Sequence, residues 1–385
     1  MHTVKSAIIG TGFIGPAHVE AARRIGGVEF AALAEASPEL AAAKAAQLGI
    51  PRSTGDYRAV LADQSIEVVH NCTPNRLHFE INLAALAAGK HVISEKPLAM
   101  SSAETRKLVA AAKKAGVLAA VDFNYRCYPL VQEMRSMAAD GRLGRLYLAQ
   151  GSYLQDWLYL DTDYNWLLEP ALGGSPRAVG DIGSHWFDLF QHVTGEEVVE
   201  VSADFSTVHE SRRRPRRAVE TYAGRQLQPK DYESVRIETE DCATIQFRTA
   251  SGALGSLVVS QVSAGRKNRL FIELSGARSA VWWDQERPNE LTVGRREKAN
   301  ELIIKDPALL SPAAAPFAHY PGGHPEGYPD GLKNLCREFY ARVRDAKLRR
   351  QPAAYATFAD GHRELCICEA VLGSARRRAW VKVRA

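Results

Sequence analysis

An apolar run, Val4 to Ile9, stands directly before Gly10-Thr11-Gly12-Phe13-Ile14-Gly15, and a helical pattern, His18-Val19-Glu20-Ala21-Ala22, follows it. A strand, a glycine turn and a helix in that order admit few folds. Gly10 permits the tight turn, Gly12 lets phosphates approach the backbone, and Gly15 lets helix and strand pack closely. A pyrophosphate then meets the backbone N–H groups at the positive end of the helix dipole. A second apolar run, Val28 to Ala34, ends in Glu35, twenty residues past Gly15, near the spacing expected for a carboxylate that bonds a ribose. The pattern points to a dinucleotide. Glu35 favours NAD, because a carboxylate accepts from both ribose hydroxyls and repels a 2′-phosphate. Ala36, Ser37 and Pro38 follow where NADP sites usually place an arginine, and the next arginine is Arg52; Ser37 keeps NADP as the second reading.

At 385 residues the chain exceeds what one hydrophobic core usually organises, so two domains are expected. Its net charge of +5 is small for that length and gives no ground for a nucleic-acid partner. Cys72, Cys127, Cys242, Cys336, Cys366 and Cys368 show no CxxC pair and no zinc spacing, as expected of thiols in a reducing cytosol. The first apolar run is the opening strand itself, and no apolar stretch is long enough to span a bilayer. The expectation is a cytoplasmic protein with no membrane partner.

Strand-like and helix-like patterns alternate up to about Asp122, as a parallel sheet requires. Ile66 to Asn71 reads as a strand ending in Cys72-Thr73-Pro74-Asn75, followed by a helix from Phe79 to Ala88. Val92 to Ser94 delivers Glu95-Lys96-Pro97; Ser102 opens a helix to Ala115 with Gly116 as its stop, and Leu118 to Asp122 is a further strand. Ligands of such sheets bind outside the carboxyl ends of the strands. Cys72, Thr73, Pro74, Asn75, His78, Glu95 and Lys96 therefore join Gly10, Gly12, Phe13, Ile14, Gly15 and Glu35 as candidate cofactor-binding residues. After a helix from Pro129 to Ala139 come β-rich segments with few helices between them: Arg145–Tyr153, Val198–Val208, Cys242–Arg248, Leu254–Gln261, Arg269–Ser275 and Ala280–Trp283. They suggest an antiparallel sheet. The fold class expected is α/β with α+β: a doubly wound parallel sheet over residues 1–123 and an open-faced, mainly antiparallel sheet over 124–385. The polar stretch Ser211 to Tyr232, with its arginines from Arg212 to Arg217, reads as a solvated loop, and Pro307 to Gly331 as another. Two helices, Leu332–Asp345 and Ala359–Ala375, finish the chain.

Asp181 and His185 are spaced i, i+4 and share a face if helical. A histidine is the natural acceptor for a proton leaving an alcohol. A lysine at a strand's carboxyl end, Lys96, suits a hydrogen bond to the same oxygen and stabilises developing alkoxide. Plainer readings make His185, beside Trp186 and Phe187, a core histidine, Lys96 a surface lysine and Asp181 a helix cap. His185, Asp188 and His192 also share a helical face, but a neighbouring lysine opposes a cation, and no metal is expected.

The glycine turn, Glu95-Lys96-Pro97, Asn124-Tyr125-Arg126 and Gly180-Asp181-Ile182-Gly183-Ser184-His185, in this order and spacing, resemble the glucose–fructose oxidoreductase/inositol dehydrogenase (Gfo/Idh/MocA) family over nearly the whole chain. The resemblance implies a Rossmann domain, an open sheet domain buried in a homodimer or homotetramer, and work on the substrate by Lys96, Asp181 and His185. Tyr125, Arg126, Trp157, Tyr159, Asn165 and Trp166 combine aromatic faces with donors, as pyranose sites do, and His324 in the His319–Gly327 loop is a further substrate candidate. The leading expectation is an NAD(P)-dependent dehydrogenase of a sugar, sugar derivative or cyclitol. An NAD-dependent glycosidase using transient oxidation and a non-catalytic dinucleotide-binding regulator are the alternatives, and a regulator has no need of Lys96, Asp181 and His185.

Overall fold

The structure, a computed structural model, describes residues 2–216 and 228–385. The chain divides into two compact units, Met1–Tyr128 with Glu326–Leu365, and Pro129–Pro325 with Cys366–Ala385.

The first unit runs β1 (Val4–Ile9), α1 (Gly15–Arg23), β2 (Val28–Ala34), α2 (Pro38–Leu48), β3 (Ser53–Thr54), α3 (Tyr57–Ala62), β4 (Val68–Asn71), α4 (Asn75–Ala87), β5 (His91–Ser94), α5 (Ser102–Ala115) and β6 (Ala119–Val121). The sheet order is β6-β5-β4-β1-β2-β3, every pair parallel, with Ala356–Thr357 added antiparallel at the β6 edge. Helical crossovers cover both faces of a parallel sheet, so its strands are largely apolar: Ala7, Ile8, Val68, Val69, Val92 and Ile93 are all buried. The cap of α5 is Ser101, whose Oγ accepts the Glu104 N–H at 3.3 Å, one residue before the expected Ser102. Gly116 ends that helix in the left-handed region, as expected.

A boundary at 123/124 would assign everything after it to the second domain. Instead the helix Tyr328–Arg344 packs in the first unit. Leu335, Phe339 and Tyr340 are buried, Asn334 Nδ2 donates to Cys127 O at 3.1 Å, and Arg24 pairs with Asp330 at 2.6 Å.

His91, at the start of β5, accepts the Leu118 N–H on Nδ1 at 2.9 Å. Burial and the Arg349 charge push its pKa down to about 4, whereas an unfolded histidine titrates near ~6.5. Its contribution to stability is complete above the unfolded value and is lost as pH falls towards the folded one, because the unfolded chain binds the proton first. Urea melts should therefore lose more stability between those values for the wild type than for His91→Gln, which keeps an acceptor without a titrating ring. Equal pH slopes would contradict this assignment.

Among the described residues the second unit holds a nine-stranded sheet, in the order Glu301–Ile304, Glu290–Gly294, Ala280–Asp284, Arg269–Gly276, Leu146–Leu154, Leu254–Ser260, Cys242–Thr249, Val198–Ser206, Val381–Lys382. Only Leu146–Leu154 and Leu254–Ser260 pair in parallel; the rest is antiparallel. Ala243, Ile245, Phe247, Leu257, Val259 and Ile272 point to one buried face. Trp186, Phe187 and Phe190 of the helix Ser184–Thr194 cluster there with Phe247. Gly255 and Gly151 make room for these rings: a Cβ at Gly255 would stand 1.9 Å from Phe247, and one at Gly151 2.3 Å from Trp186 Nε1.

The segment read as a solvated loop is structured at both ends. Ser211–Pro215 pairs antiparallel with Tyr232–Arg236, and the Arg212 side chain is fully buried. Strand alternation put Arg212 inward, where an ion pair described below awaits it; Arg217 and the residues to 227 lie outside the described residues. No helix among the described residues is long and apolar enough to cross a membrane.

Candidate active site

In the first unit the glycine turn sits at the carboxyl end of β1. Gly10 has φ +84°, and a Cβ there would lie 2.7 Å from Cys72 O, so only glycine lets this turn pack on the end of β4. Around Gly12, by contrast, no described residue other than its chain neighbours lies within 4 Å of where a Cβ would stand, and no described side chain caps the first turn of α1. That open cradle at a helix N-terminus fits a pyrophosphate. Glu35 is held at its rim: Oε1 accepts from Thr11 N at 2.5 Å and from Thr11 Oγ1 at 2.7 Å, and Oε2 accepts from Ala36 N at 3.1 Å. Ser37 Oγ caps α2 by accepting the Leu40 N–H at 3.2 Å, and Arg52 pairs with Asp63 at 2.6 Å. Phe13 is exposed beside the turn.

At the ends of β4 and β5, Thr73 Oγ1 donates to Asn71 Oδ1 at 2.7 Å, and Asn75, buried, opens α4 after Pro74. His78 departs from the expectation. It is fully buried between the two loops, with Nδ1 2.7 Å from Pro97 O and Nε2 2.7 Å from Thr73 O. Lys96 is half-buried just past β5, its peptide bond to Pro97 is cis, and its N–H donates to Glu95 Oε2 at 3.2 Å. Tyr125 is buried between Tyr128 and Tyr328, and Arg126, 6% exposed, donates to Asp360 Oδ1 at 3.0 Å. These two substrate candidates are built into the interior of the unit.

In the second unit Val179–Gly183 forms a π-helical turn, with Ser184 N–H donating to Val179 O, that runs into the helix Ser184–Thr194. Asp181 thus lies on a widened turn rather than on the α-helix that the i, i+4 spacing assumed. The buried Trp186 donates from Nε1 to Phe271 O at 2.8 Å and so fixes the phase of the helix. His185 is 8% exposed and meets Tyr153 edge-on, ring centroids 6.2 Å apart.

Residues that no motif announced hold Asp181 in place. Gln261 Nε2 donates to Asp181 Oδ2 at 2.9 Å, Arg177 Nη1 donates to Gln261 Oε1 at 2.6 Å, and Arg177 and Arg212 both bond Asp241 Oδ1. Burial raises the pKa of Asp241, and the two guanidiniums with the His209 N–H outweigh it, leaving the group below the ordinary value. Arg212 also donates to Leu158 O, Leu160 O and Asp163 O at 2.9, 2.8 and 3.1 Å, which shapes the loop carrying Trp157, Tyr159, Asn165 and Trp166. Asn165 Oδ1 accepts the Leu167 N–H at 2.9 Å and is buried as a cap. Tyr153 OH and Gln155 Nε2 both donate to Asn268 Oδ1, at 2.9 and 2.7 Å. The one signal in sequence was an amide just beyond an apolar strand, as at Gln155 and Gln261. His324 is exposed, its loop anchored by buried Lys305, which donates to Tyr320 O and His324 O at 2.9 Å each. His192 Nε2 lies 3.1 Å from Gln132 Nε2; among the described residues the side chains that approach as metal ligands do are His18, Glu95 and Asp122 instead.

Residues 4–123 match the model of an oxidoreductase family with an NAD-binding Rossmann fold, and residues 131–281 match the Gfo/Idh/MocA C-terminal domain. The chain belongs to the Gfo/Idh/MocA family. Its first unit is accordingly an NAD-binding Rossmann domain and the protein an oxidoreductase. Levoglucosan dehydrogenase of Pseudarthrobacter phenanthrenivorans is 30% identical over 100% of this chain and 99% of that protein. Myo-inositol 2-dehydrogenase of Thermotoga maritima is 25% identical over 74% of this chain and 76% of its own length. A solved levoglucosan dehydrogenase in complex with NADH and L-sorbose superimposes with a TM-score of 0.88 at 29% identity, covering 100% of both chains.

Proposed function

We propose that this family member oxidises a secondary hydroxyl of a sugar, sugar derivative or cyclitol, with Lys96, Asp181 and His185 as the catalytic residues. NAD, when bound, supplies the chemistry by accepting hydrogen and its electron pair from the carbinol carbon. His185 takes the hydroxyl proton, Lys96 donates a hydrogen bond to the same oxygen and stabilises its developing charge, and Asp181 orients the hydroxyl or the imidazole. One observation carries the reading: the likeness to levoglucosan dehydrogenase spans the sheet unit as well as the nucleotide unit. The test is a screen of levoglucosan, L-sorbose, myo-inositol and simple glycosides for NADH formation at alkaline pH, where proton release favours oxidation. NADH formation with one of them is expected. Release of an aglycone without net NADH would replace this reading with the glycosidase.

The preference for NAD over NADP rests on Glu35, with Ser37 and Arg52 engaged elsewhere. Catalytic efficiency with NAD should exceed that with NADP by roughly tenfold or more, the effect of one charge-assisted hydrogen bond, and Glu35→Ser should narrow the ratio. An NADP preference in the wild type would contradict the assignment. A need for NAD, which cells keep in the cytoplasm, supports a cytoplasmic reaction.

The sheet of the second unit carries exposed Leu148, Leu254 and Val258 on the face opposite its buried one. A second copy covering this face, in a homodimer or homotetramer, accounts for apolar side chains at these positions. Sedimentation should show an oligomer at micromolar concentration, and a stable monomer would refute it.

A further inference from the structure

Beneath the Glu95-Lys96-Pro97 segment runs a line of buried polar side chains that the proposed chemistry does not use. His18, on α1, has no exposed surface. Its Nε2 stands 2.9 Å from Glu95 Oε1 and 3.3 Å from Asp122 Oδ2, and its Nδ1 stands 3.0 Å from His70 Nδ1. His70 Nε2 lies 2.7 Å from Tyr340 OH, which lies 2.7 Å from Ser6 Oγ. Ser6, His70 and Tyr340 are likewise completely buried.

The three segments that meet at His18 are those expected to serve the reaction. His18 belongs to the helix that follows the glycine turn. Glu95 precedes Lys96 and accepts its N–H at 3.2 Å. Asp122 follows β6 and leads into Asn124-Tyr125-Arg126. On the other flank of Lys96, Pro97 O lies 2.7 Å from His78 Nδ1.

Two carboxylates this deeply buried oppose each other's charge, and a cation between them removes the conflict. Burial and Asp122 raise the pKa of Glu95. Burial works against a charge on His18, yet its hydrogen bonds to Asp122, to the Cys72 sulfur and to Glu95 favour that charge and lift its pKa above the ordinary value. Burial and the His18 charge hold His70 well below it, and burial keeps Cys72 a thiol. The directions along the line then follow. With His18 charged, both its ring nitrogens donate, which leaves His70 Nδ1 as acceptor and His70 Nε2 to donate to Tyr340.

We propose that His18 is a positioning residue for Lys96: it clamps Glu95 and Asp122 together under the segment and so sets the direction in which Lys96 leaves β5, while His70 and Tyr340 hold its ring. This rests on the reading of Lys96 as the group that polarises the hydroxyl.

The test combines His18→Gln and Lys96→Met, singly and together, assayed with NAD and the sugar that the screen returns. His18→Gln should lower kcat about tenfold or more with KM for NAD within about threefold, and should lower it less than about threefold further in the Lys96→Met background. The same loss in both backgrounds would overturn the inference alone, since His18 would then act on the fold at large. Normal turnover in Lys96→Met would overturn the reading of Lys96 itself, and the inference with it. Should His18→Gln fail to fold, ¹⁵N spectra of histidine-labelled wild-type holoenzyme decide the matter. Both His18 nitrogens protonated at neutral pH, with His70 in a single neutral tautomer, support the clamp. A neutral His18, or a stoichiometric metal ion in the purified protein held by His18, Glu95 and Asp122, overturns it.

Discussion

His185→Ala should lower kcat by about a hundredfold or more, because it removes the acceptor for the hydroxyl proton. Lys96→Met keeps much of the side-chain length but loses the charged donor, and a comparable factor is expected. NAD binding, followed by fluorescence, should survive His185→Ala: the cradle for the pyrophosphate is built by the glycine turn and the start of α1 in the Rossmann unit, whereas His185 belongs to the sheet unit. Asp181→Asn should be milder, since an amide still accepts from Gln261, the bond that holds Asp181 Oδ2 at 2.9 Å. Oxidation should also slow as pH falls, because a protonated imidazole accepts nothing. Near-normal turnover in His185→Ala on a confirmed substrate would refute the assigned acceptor and move the role to Tyr125 or Lys96.

Asp241→Ala should destabilise the protein by about 3–5 kcal/mol, the usual cost of breaking a buried ion pair. Asp241 is the shared partner of Arg177 and Arg212, whose side chains are 1% and 0% exposed. Its removal leaves both guanidiniums buried without their counter-ion. Arg212 would then hold the loop at Leu158, Leu160 and Asp163 less firmly, and Arg177 would hold Gln261, and through it Asp181, less firmly. Urea melts measure the stability, and Asp241→Asn, which keeps an acceptor of the same shape, should lose less. A loss below ~1 kcal/mol in Asp241→Ala would mean that the two arginines find other partners, contrary to this reading.

The parts legible in the sequence were those whose physics is local. An apolar run before glycines, and a carboxylate at the end of the next strand, gave β1, the turn, β2 and Glu35 because neighbouring residues determine a strand–turn–helix unit. The alternation in Cys242–Thr249 and Leu254–Ser260 likewise reported a sheet with one buried face. Contacts between distant residues were not legible. Nothing near Asn334 says that its amide meets Cys127 O, so no local pattern announces the return of residues 326–365 to the first unit. Arg212 sits among arginines that look solvated, and only its strand register and Asp241 bring it inside. His78 looked like a ligand residue because it follows a loop at a strand end, yet both its ring nitrogens face main-chain carbonyls. The spacing of Asp181 and His185 says nothing of the π-helical turn that carries Asp181.

The most direct test of the central assignment is the stoichiometry of the reaction: NADH formed against sugar consumed, with the product identified. Equimolar NADH and a sugar or cyclitol carrying a new ketone are expected, both lost in His185→Ala. Sugar consumed with an aglycone released and NAD returned unchanged would contradict the dehydrogenase assignment, as would tight NAD binding with no turnover of any sugar or cyclitol.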